Sequence, residues 1–245
     1  ISHFIEEVMQ VSDRFVVLRD GRNAGGGVTS QAHDTDIVSL MVGRTLEALY
    51  PGRSRRTGAP VLMLDDLAPD WLQPATLTLH RGEILGIAGL LGAGRTRLLR
   101  GLFGLDPVKS GVVRLGAHIG PCAPADWWSL GMGMLSEDRT GEGLATELSI
   151  ADNTTLTRLE GLGPGFLVSP SRQRAAARRW IDRLDIKASG PAQRVGSLSG
   201  GNQQKVVVGK WMERPPKILI LDEPTRGVDV GAREEMFAII HRLVE

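Results

Sequence analysis

The stretch LSGGNQQK, residues 198–205, joins a serine and two glycines to the start of a helix-forming run. Serine is a good helix N-cap, and glycines, lacking a Cβ, let backbone N–H groups come close to an anion. A bare Ser-Gly-Gly reads as nothing more than a helix cap. The next signal decides. KILILD, residues 217–222, is the clearest strand in the chain, and Asp222 follows Lys205 by 17 residues. An apolar strand ending in Asp222 and Glu223 offers one carboxylate placed to hold Mg2+ through water and a second able to polarise an attacking water. By itself the pair reads equally as a strand cap and a solvated glutamate.

Upstream, GEILGIAG (residues 82–89) has the look of a buried strand running into GLLGAGRT, residues 89–96. Residues 96–103 then show helical periodicity. Strand, glycine loop and helix is the context of the phosphate loop G-x-x-x-x-G-K-[ST], with Arg95 standing where lysine is expected. Such a loop turns consecutive N–H groups and the positive end of a helix toward a polyphosphate, and Thr96 could hold Mg2+. A plain tight turn is the competing reading.

The rest of the chain sets these signals in a frame. Its 245 residues suffice for one sizeable core, or a core with a smaller attached subdomain. With 42% hydrophobic and 23% charged residues it is an ordinary globular composition. Twenty-nine basic against 28 acidic residues give no global drive toward nucleic acid or an anionic membrane. A single cysteine, Cys122, excludes an internal disulfide framework and fits a reducing compartment. No apolar run approaches the roughly 18 residues of a membrane span. The opening ISHFIEEVMQ carries no signal-peptide pattern and begins as if cut from the middle of something.

Residues 1–22 read as helix then strand, 23–30 as a glycine-rich loop, and 35–49 as helix. PGRSRRTGAP, residues 51–60, is a breaker segment and a candidate domain boundary. VLML, TLTL, residues 112–115 and residues 132–135 read as strands. Residues 147–187 read as mostly helical with a basic run, 202–212 as helix, and 233–244 as a final helix. Alternating strands and helices imply an α/β fold with a mostly parallel sheet and right-handed crossovers.

LSGGNQQK followed by ILILDEPTRGVDVGA resembles the ATP-binding-cassette (ABC) ATPases, with signature, Walker B and D-loop motifs in order. With LSEDR at 135–139, the wording looks most like the second cassette of bacterial monosaccharide importers of the ribose, galactose and xylose type, in which two cassettes are fused. ISHFIEEVMQVSDRFVVLRDGR resembles the end of a first cassette.

The resemblance implies a P-loop NTPase, an ABC-type nucleotide-binding domain with an antiparallel β subdomain and a helical subdomain near 147–187. It implies a remnant of the first cassette at 1–30, a linker at 31–60 and the second cassette at 61–245, its own switch histidine lying beyond Glu245. It implies ATP and Mg2+ as ligands. Gly89, Leu90, Gly92, Ala93, Gly94, Arg95 and Thr96 would form the Walker A loop. Ser199, Gly200 and Gly201 would be the signature and Asp229 the D-loop. Thr96, Asp222 and Glu137 would hold the metal, Glu137 standing where most cassettes have glutamine. Glu223 would be the catalytic carboxylate and His3 the switch histidine of the first cassette. Trp71 would either stack on adenine or pack internally.

The same resemblance implies head-to-tail closure on the first cassette or on a second copy, permease subunits as membrane partners, and a periplasmic sugar-binding protein as an indirect one. The place would be the cytoplasmic face of the inner membrane. Guanidinium is wider than ammonium, so Arg95 implies weak nucleotide binding and slow hydrolysis, against the alternative of normal turnover. A non-catalytic regulatory cassette and a soluble ABC protein acting on nucleic acid are competing functions. Against the latter stand the near-neutral charge and the lack of sustained heptads in the roughly 100 residues between Gly94 and Ser199. Residues 1–22 are further expected either to complete the second cassette's sheet edge, in cis or by exchange between chains, or to pack peripherally.

Overall fold

The computed structural model describes residues 2, 5–19, 21–43, 57–165, 167–228 and 230–244. The chain divides into two compact units, one formed by residues 1–54 with 227–243 and the other by 55–226.

In the first unit, helix α1 (Ile5–Val11) leads into an antiparallel hairpin of β1 (Arg14–Arg19) and β2 (Arg22–Val28), followed by α2 (Asp34–Val42). Phe15, Val17 and Ile37 form its core, with Ile5, Val8, Met9 and Leu40 packed against them. The expected loop at 23–30 is largely strand β2. Three successive glycines read as a loop, but they are what the pairing needs. A Cβ at Gly26 would stand 2.5 Å from the Phe15 carbonyl oxygen, and one at Gly27 would stand 3.3 Å from the Phe15 ring. Pairing β1 with β2 in a sheet of two also replaces the expectation that residues 1–22 complete another sheet in cis. Asp36 accepts from the His33 amide at 2.8 Å to start α2, and Gly43 at φ 79° ends it. Residues 44–49 of the expected helix, and most of the boundary segment 51–60, lie outside the described residues. The C-terminal helix, Val230–Leu243, belongs to this unit and begins earlier than the expected 233.

The second unit holds an antiparallel sheet in the order β4 (Ala75–His80), β3 (Pro60–Pro69), β5 (Val108–Leu115), β6 (His118–Ile119), and a parallel pair of β7 (Met132–Leu135) and β8 (Ile218–Leu221). Leu62, Leu64 and Val113 from the sheet share one core with Leu102 and Phe103 of α3 (Arg95–Phe103), Trp127 of α4 (Pro124–Leu130), and Met132, Met134, Ile218 and Ile220 of the parallel pair. At Gly111, φ is 100° and a Cβ would meet the Leu67 Cα at 2.5 Å, so only glycine lets β5 lie against β3 there.

Among the described residues parallel pairing is confined to β7 and β8. The expected buried strand at 82–89 forms no strand, with Ile84, Leu85 and Ile87 about two-fifths exposed. An apolar run signals a strand only where a partner is present, and none of the described strands pairs with it.

The expected helical stretch 147–187 is two helices, α5 (Ile150–Thr155) and α6 (Pro170–Arg183). Between them GLGPG, residues 161–165, breaks the chain. The Ser149 hydroxyl and Asp152 cap α5 reciprocally, and the buried Asn153 side chain donates to the Ala145 carbonyl and accepts from its amide. Ala176 and Ala177 of α6 are fully buried. Gly209 of α7 (Gly200–Met212) would carry a Cβ 3.3 Å from Trp180, so α6 and α7 pack closely.

Candidate nucleotide site

The loop before α3 is a turn closed by the Ala93 amide on the Leu90 carbonyl, 3.0 Å. Gly92 and Gly94 have φ of 81° and 94°, a region that favours glycine. Gly94 caps α3, and its carbonyl accepts from Leu98 at 2.9 Å. A Cβ on Gly94 would collide with the Leu72 side chain. Leu90 and Leu91 project into solvent, 86% and 99% exposed.

α3 places Arg95 and Thr96 against the C-terminal end of β8 and the segment after β7. The Thr96 hydroxyl stands 3.1 Å from Glu137 Oε2 and 3.2 Å from Asp222 Oδ1. One hydroxyl proton cannot serve two carboxylates at once. Asp222 is 3% exposed, and its Oδ2 is buried without a hydrogen-bond partner. Burial first of all pushes the Asp222 carboxyl above its ordinary value, and the Glu223 charge adds to this. The Thr96 hydrogen bond and the Arg95 and Arg100 charges oppose it. A buried anion short of donors is what a bound cation would relieve, so the oxygens of Thr96, Asp222 and Glu137 fit Mg2+, a hard ion that takes oxygen ligands.

Two arginines meet the other two carboxylates. Arg95 Nη2 lies 3.0 Å from Glu223 Oε1, and Arg226 is ion-paired with Glu137. Glu223 adopts φ 46°, a left-handed conformation unusual outside glycine. Arg139 ties this end of the site to α7. Its Nη1 donates to the Arg226 carbonyl at 2.8 Å, and its Nε donates to Gln203 Oε1 at 3.2 Å. Arg100 of α3 binds Glu142 at 2.8 Å and Asp106 at 3.2 Å. The segment 136–143 is thus stitched to both α3 and α7, with Asp138 folding its π-helical turn Arg139–Gly143 by accepting from the Gly141 and Thr140 amides.

The structure therefore joins Arg95, Thr96, Glu137, Asp222 and Glu223. Ser199, Gly200 and Gly201 stand apart at the start of α7. Ser199 is exposed at the N-cap position, where its hydroxyl makes no capping bond to the helix amides and instead accepts from Asn202 Nδ2 at 2.8 Å. Among the described residues no hydrogen bond or ion pair links them directly to Thr96 or the carboxylates. His3 and Asp229 lie outside the described residues. Trp71 is 85% exposed at φ 67° with Lys109 Nζ 5.5 Å from its ring centre, so it does not pack internally. The roles of Arg226, Arg139, Arg100 and Glu142 escape a reading of the sequence. Arg226 reaches Glu137, Arg139 reaches Gln203 and Arg100 reaches Glu142 across 89, 64 and 42 positions, and no local spacing encodes these pairings.

Comparison with known proteins bears on the family and the fold. Residues 72–226, more than half of the chain, match the family described as ABC transporter. The ribose import ATP-binding protein RbsA 1 of Rubrobacter xylanophilus is 42% identical over 248 residues, covering 100% of this chain and 50% of that protein. RbsA 1 of Streptomyces avermitilis is 41% identical over 245 residues, covering 99% of this chain and 47% of that protein. The chain thus spans about half the length of the curated relatives it matches. Among solved structures, MJ1267, an ATP-binding cassette of an ABC transporter, is similar with a TM-score of 0.65 at 18% identity, over 76% of this chain and 78% of that one. The cassette MJ0796, solved as a dimer with ADP and Pi, gives 0.63 at 20% identity, over 75% and 83%. At these identities the two structures bear on the fold, an ABC cassette with β and helical subdomains. The chain belongs to the ABC transporter family.

Proposed function

We propose that the chain binds ATP with Mg2+ at Gly89–Thr96 and forms part of the energy-supplying subunit of a bacterial monosaccharide importer of the ribose type. The observation that carries this reading is the buried, unpartnered Oδ2 of Asp222 beside the Thr96 hydroxyl. Gly89, Leu90, Gly92, Ala93 and Gly94 offer backbone N–H groups and the N-terminus of α3 to the phosphates. Thr96, Asp222 and Glu137 hold Mg2+, which when bound neutralises charge on the phosphate oxygens. Trp71, exposed at its turn, stacks on adenine. Glu223 takes a proton from water as its oxygen bonds to the γ-phosphorus and the bond to the β–γ bridging oxygen breaks, leaving ADP and phosphate.

In this reading residues 1–30 close a first cassette, 31–60 link, and 61–245 form a second. Cassettes pair head to tail, so Ser199, Gly200 and Gly201 serve nucleotide held by the partner cassette, at the site to which His3 belongs, and Asp229 lies at the same seam. The helical region 147–187 docks on permease subunits at the cytoplasmic face of the inner membrane. A periplasmic binding protein is coupled through them. None of the described helices is long and apolar enough to cross a membrane, which suits a peripheral subunit.

A second reading, a regulatory cassette that binds nucleotide without turnover, is favoured by one contact, Arg95 on Glu223. Arg95 keeps the charge of lysine, but its guanidinium is spent on the carboxylate that should accept the proton. Titration calorimetry with ATP and Mg2+ tests the common ground: Thr96→Val and Asp222→Asn lose about tenfold or more in affinity, the scale of a lost charge-assisted bond. Unchanged affinity in both refutes the site. Hydrolysis by Arg95→Lys then separates the readings, a rise marking a tuned catalytic site and no change a regulatory one.

A further inference from the structure

The three carboxylates around Thr96 are not equivalent. Asp222 keeps one oxygen free and buried. Both oxygens of Glu137 are engaged, Oε2 with the Thr96 hydroxyl and Oε1 with Arg226. Arg226 itself is held at its backbone, its carbonyl accepting from Arg139 and its amide donating to the Glu223 carbonyl at 3.0 Å. Its side chain is 65% exposed and free to change partners. A cation arriving alone therefore finds Asp222 and Thr96 ready but must compete with a guanidinium for Glu137. A polyphosphate arriving with the cation changes the balance, because it offers the guanidinium richer anionic acceptors than one carboxylate.

We infer that Arg226 is a positioning residue that holds Glu137 off the metal until a polyphosphate is present, making cation and nucleotide binding mutually dependent. The inference rests on Asp222 and Thr96 being the cation's primary holders. By linkage, whatever Arg226 withholds from the lone cation reappears as the gain in cation affinity that nucleotide brings.

The experiment uses the 245-residue chain with Mn2+ as probe, free Mn2+ being read by electron paramagnetic resonance with and without a non-hydrolysable ATP analogue. Arg226→Gln, which keeps bulk at an exposed position, should raise nucleotide-free Mn2+ affinity by about three- to tenfold, the scale of one charge at a partly exposed site. It should shrink the nucleotide-induced gain by the same factor. Arg226→Lys should behave like the unaltered chain. In a Glu137→Gln background, Arg226→Gln should have no further effect. Unchanged or weaker nucleotide-free binding in Arg226→Gln, with its helical circular dichroism intact, overturns the inference. Asp222→Asn keeps that failure distinct from failure of the underlying site. It abolishes Mn2+ binding if the site is right and leaves it unaltered if the site is wrong.

Discussion

Two helix starts in the second unit carry the same local code, glycines leading into an α-helix, and they are held in opposite ways. The start of α7 is held by burial. Leu198 precedes it at 8% exposure, and Val206, Val207 and Val208 are at most 1% exposed. The start of α3 follows an apolar segment that forms no strand, and Leu90 and Leu91 stand in water. What fixes Arg95 and Thr96 is the set of ion pairs and hydrogen bonds with Glu137, Asp222 and Glu223. On the proposed reading the α7 start only presents backbone to a partner and can be rigid, whereas the α3 loop accepts and releases phosphate and is better held by charges that the ligand can redistribute.

The sharpest way to break this comparison is to place a charge in each region. Val207→Asp buries an unpaired carboxylate and should cost about 3–5 kcal/mol, enough to abolish a cooperative transition. Leu91→Asp, in contrast, should lie within about 0.5 kcal/mol of the unaltered chain. Chemical denaturation followed by tryptophan fluorescence reads the second unit, which holds all five tryptophans. Equal losses would show that the α3 loop is buried after all.

Next in size is Gly94→Ala. The left-handed backbone costs about 1–2 kcal/mol for a residue with a Cβ, and the collision with Leu72 adds to it. Gly92→Ala, equally left-handed but with open space around it, should show the backbone part alone. A third substitution probes the α7 side: Gln203→Ala removes the acceptor of Arg139 and the donor to the Val195 carbonyl, at about 1–2 kcal/mol. Its effect should be seen in denaturation midpoints and not in Mn2+ affinity.

The parts of the fold that the residues announce are those whose signals are local and self-sufficient. Strand β8 is an unbroken apolar run closed by Asp222, and α7 has a serine cap, glycines and a long helix-forming body. The same rules fail where the deciding neighbour is remote. Gly25, Gly26 and Gly27 look like a loop until Leu40 is seen against the first and Phe15 against the other two. GEILGIAG looks like a buried strand because its composition suits one, yet composition cannot supply the edge it would pair with. At the site, Thr96, Glu137, Asp222 and Glu223 come from motifs, and motifs carry position. Their present partners do not. That Arg95 rests on Glu223 and Arg226 on Glu137 follows from bringing α3, β8 and the segment after β7 together, which no spacing encodes.

The smallest effects concern pH, and here two carboxylates make the contrast between the anchored and the exchangeable. The Ser136 hydrogen bond first, then Arg100, holds the Glu142 carboxyl below its ordinary 4.5. Its contribution to stability is present above that value and is lost as pH falls through the lower folded one. With Glu142 partly exposed, Glu142→Gln should cost only about 0.5 kcal/mol at neutral pH, and the deficit should vanish in acid. Asp222 has the opposite sign. Burial raises its carboxyl above 3.8, so the folded state holds the proton more tightly and the ionised group is a burden at neutral pH that disappears below 3.8. Asp222→Asn should therefore stabilise the chain at pH 7 and lose that advantage on acidification. Denaturation midpoints across the acid range test both slopes, and a destabilised Asp222→Asn at neutral pH would mean that the carboxylate is already satisfied. A carboxylate whose replacement steadies the fold is one the protein leaves under-satisfied, which is what the proposed cation role would need.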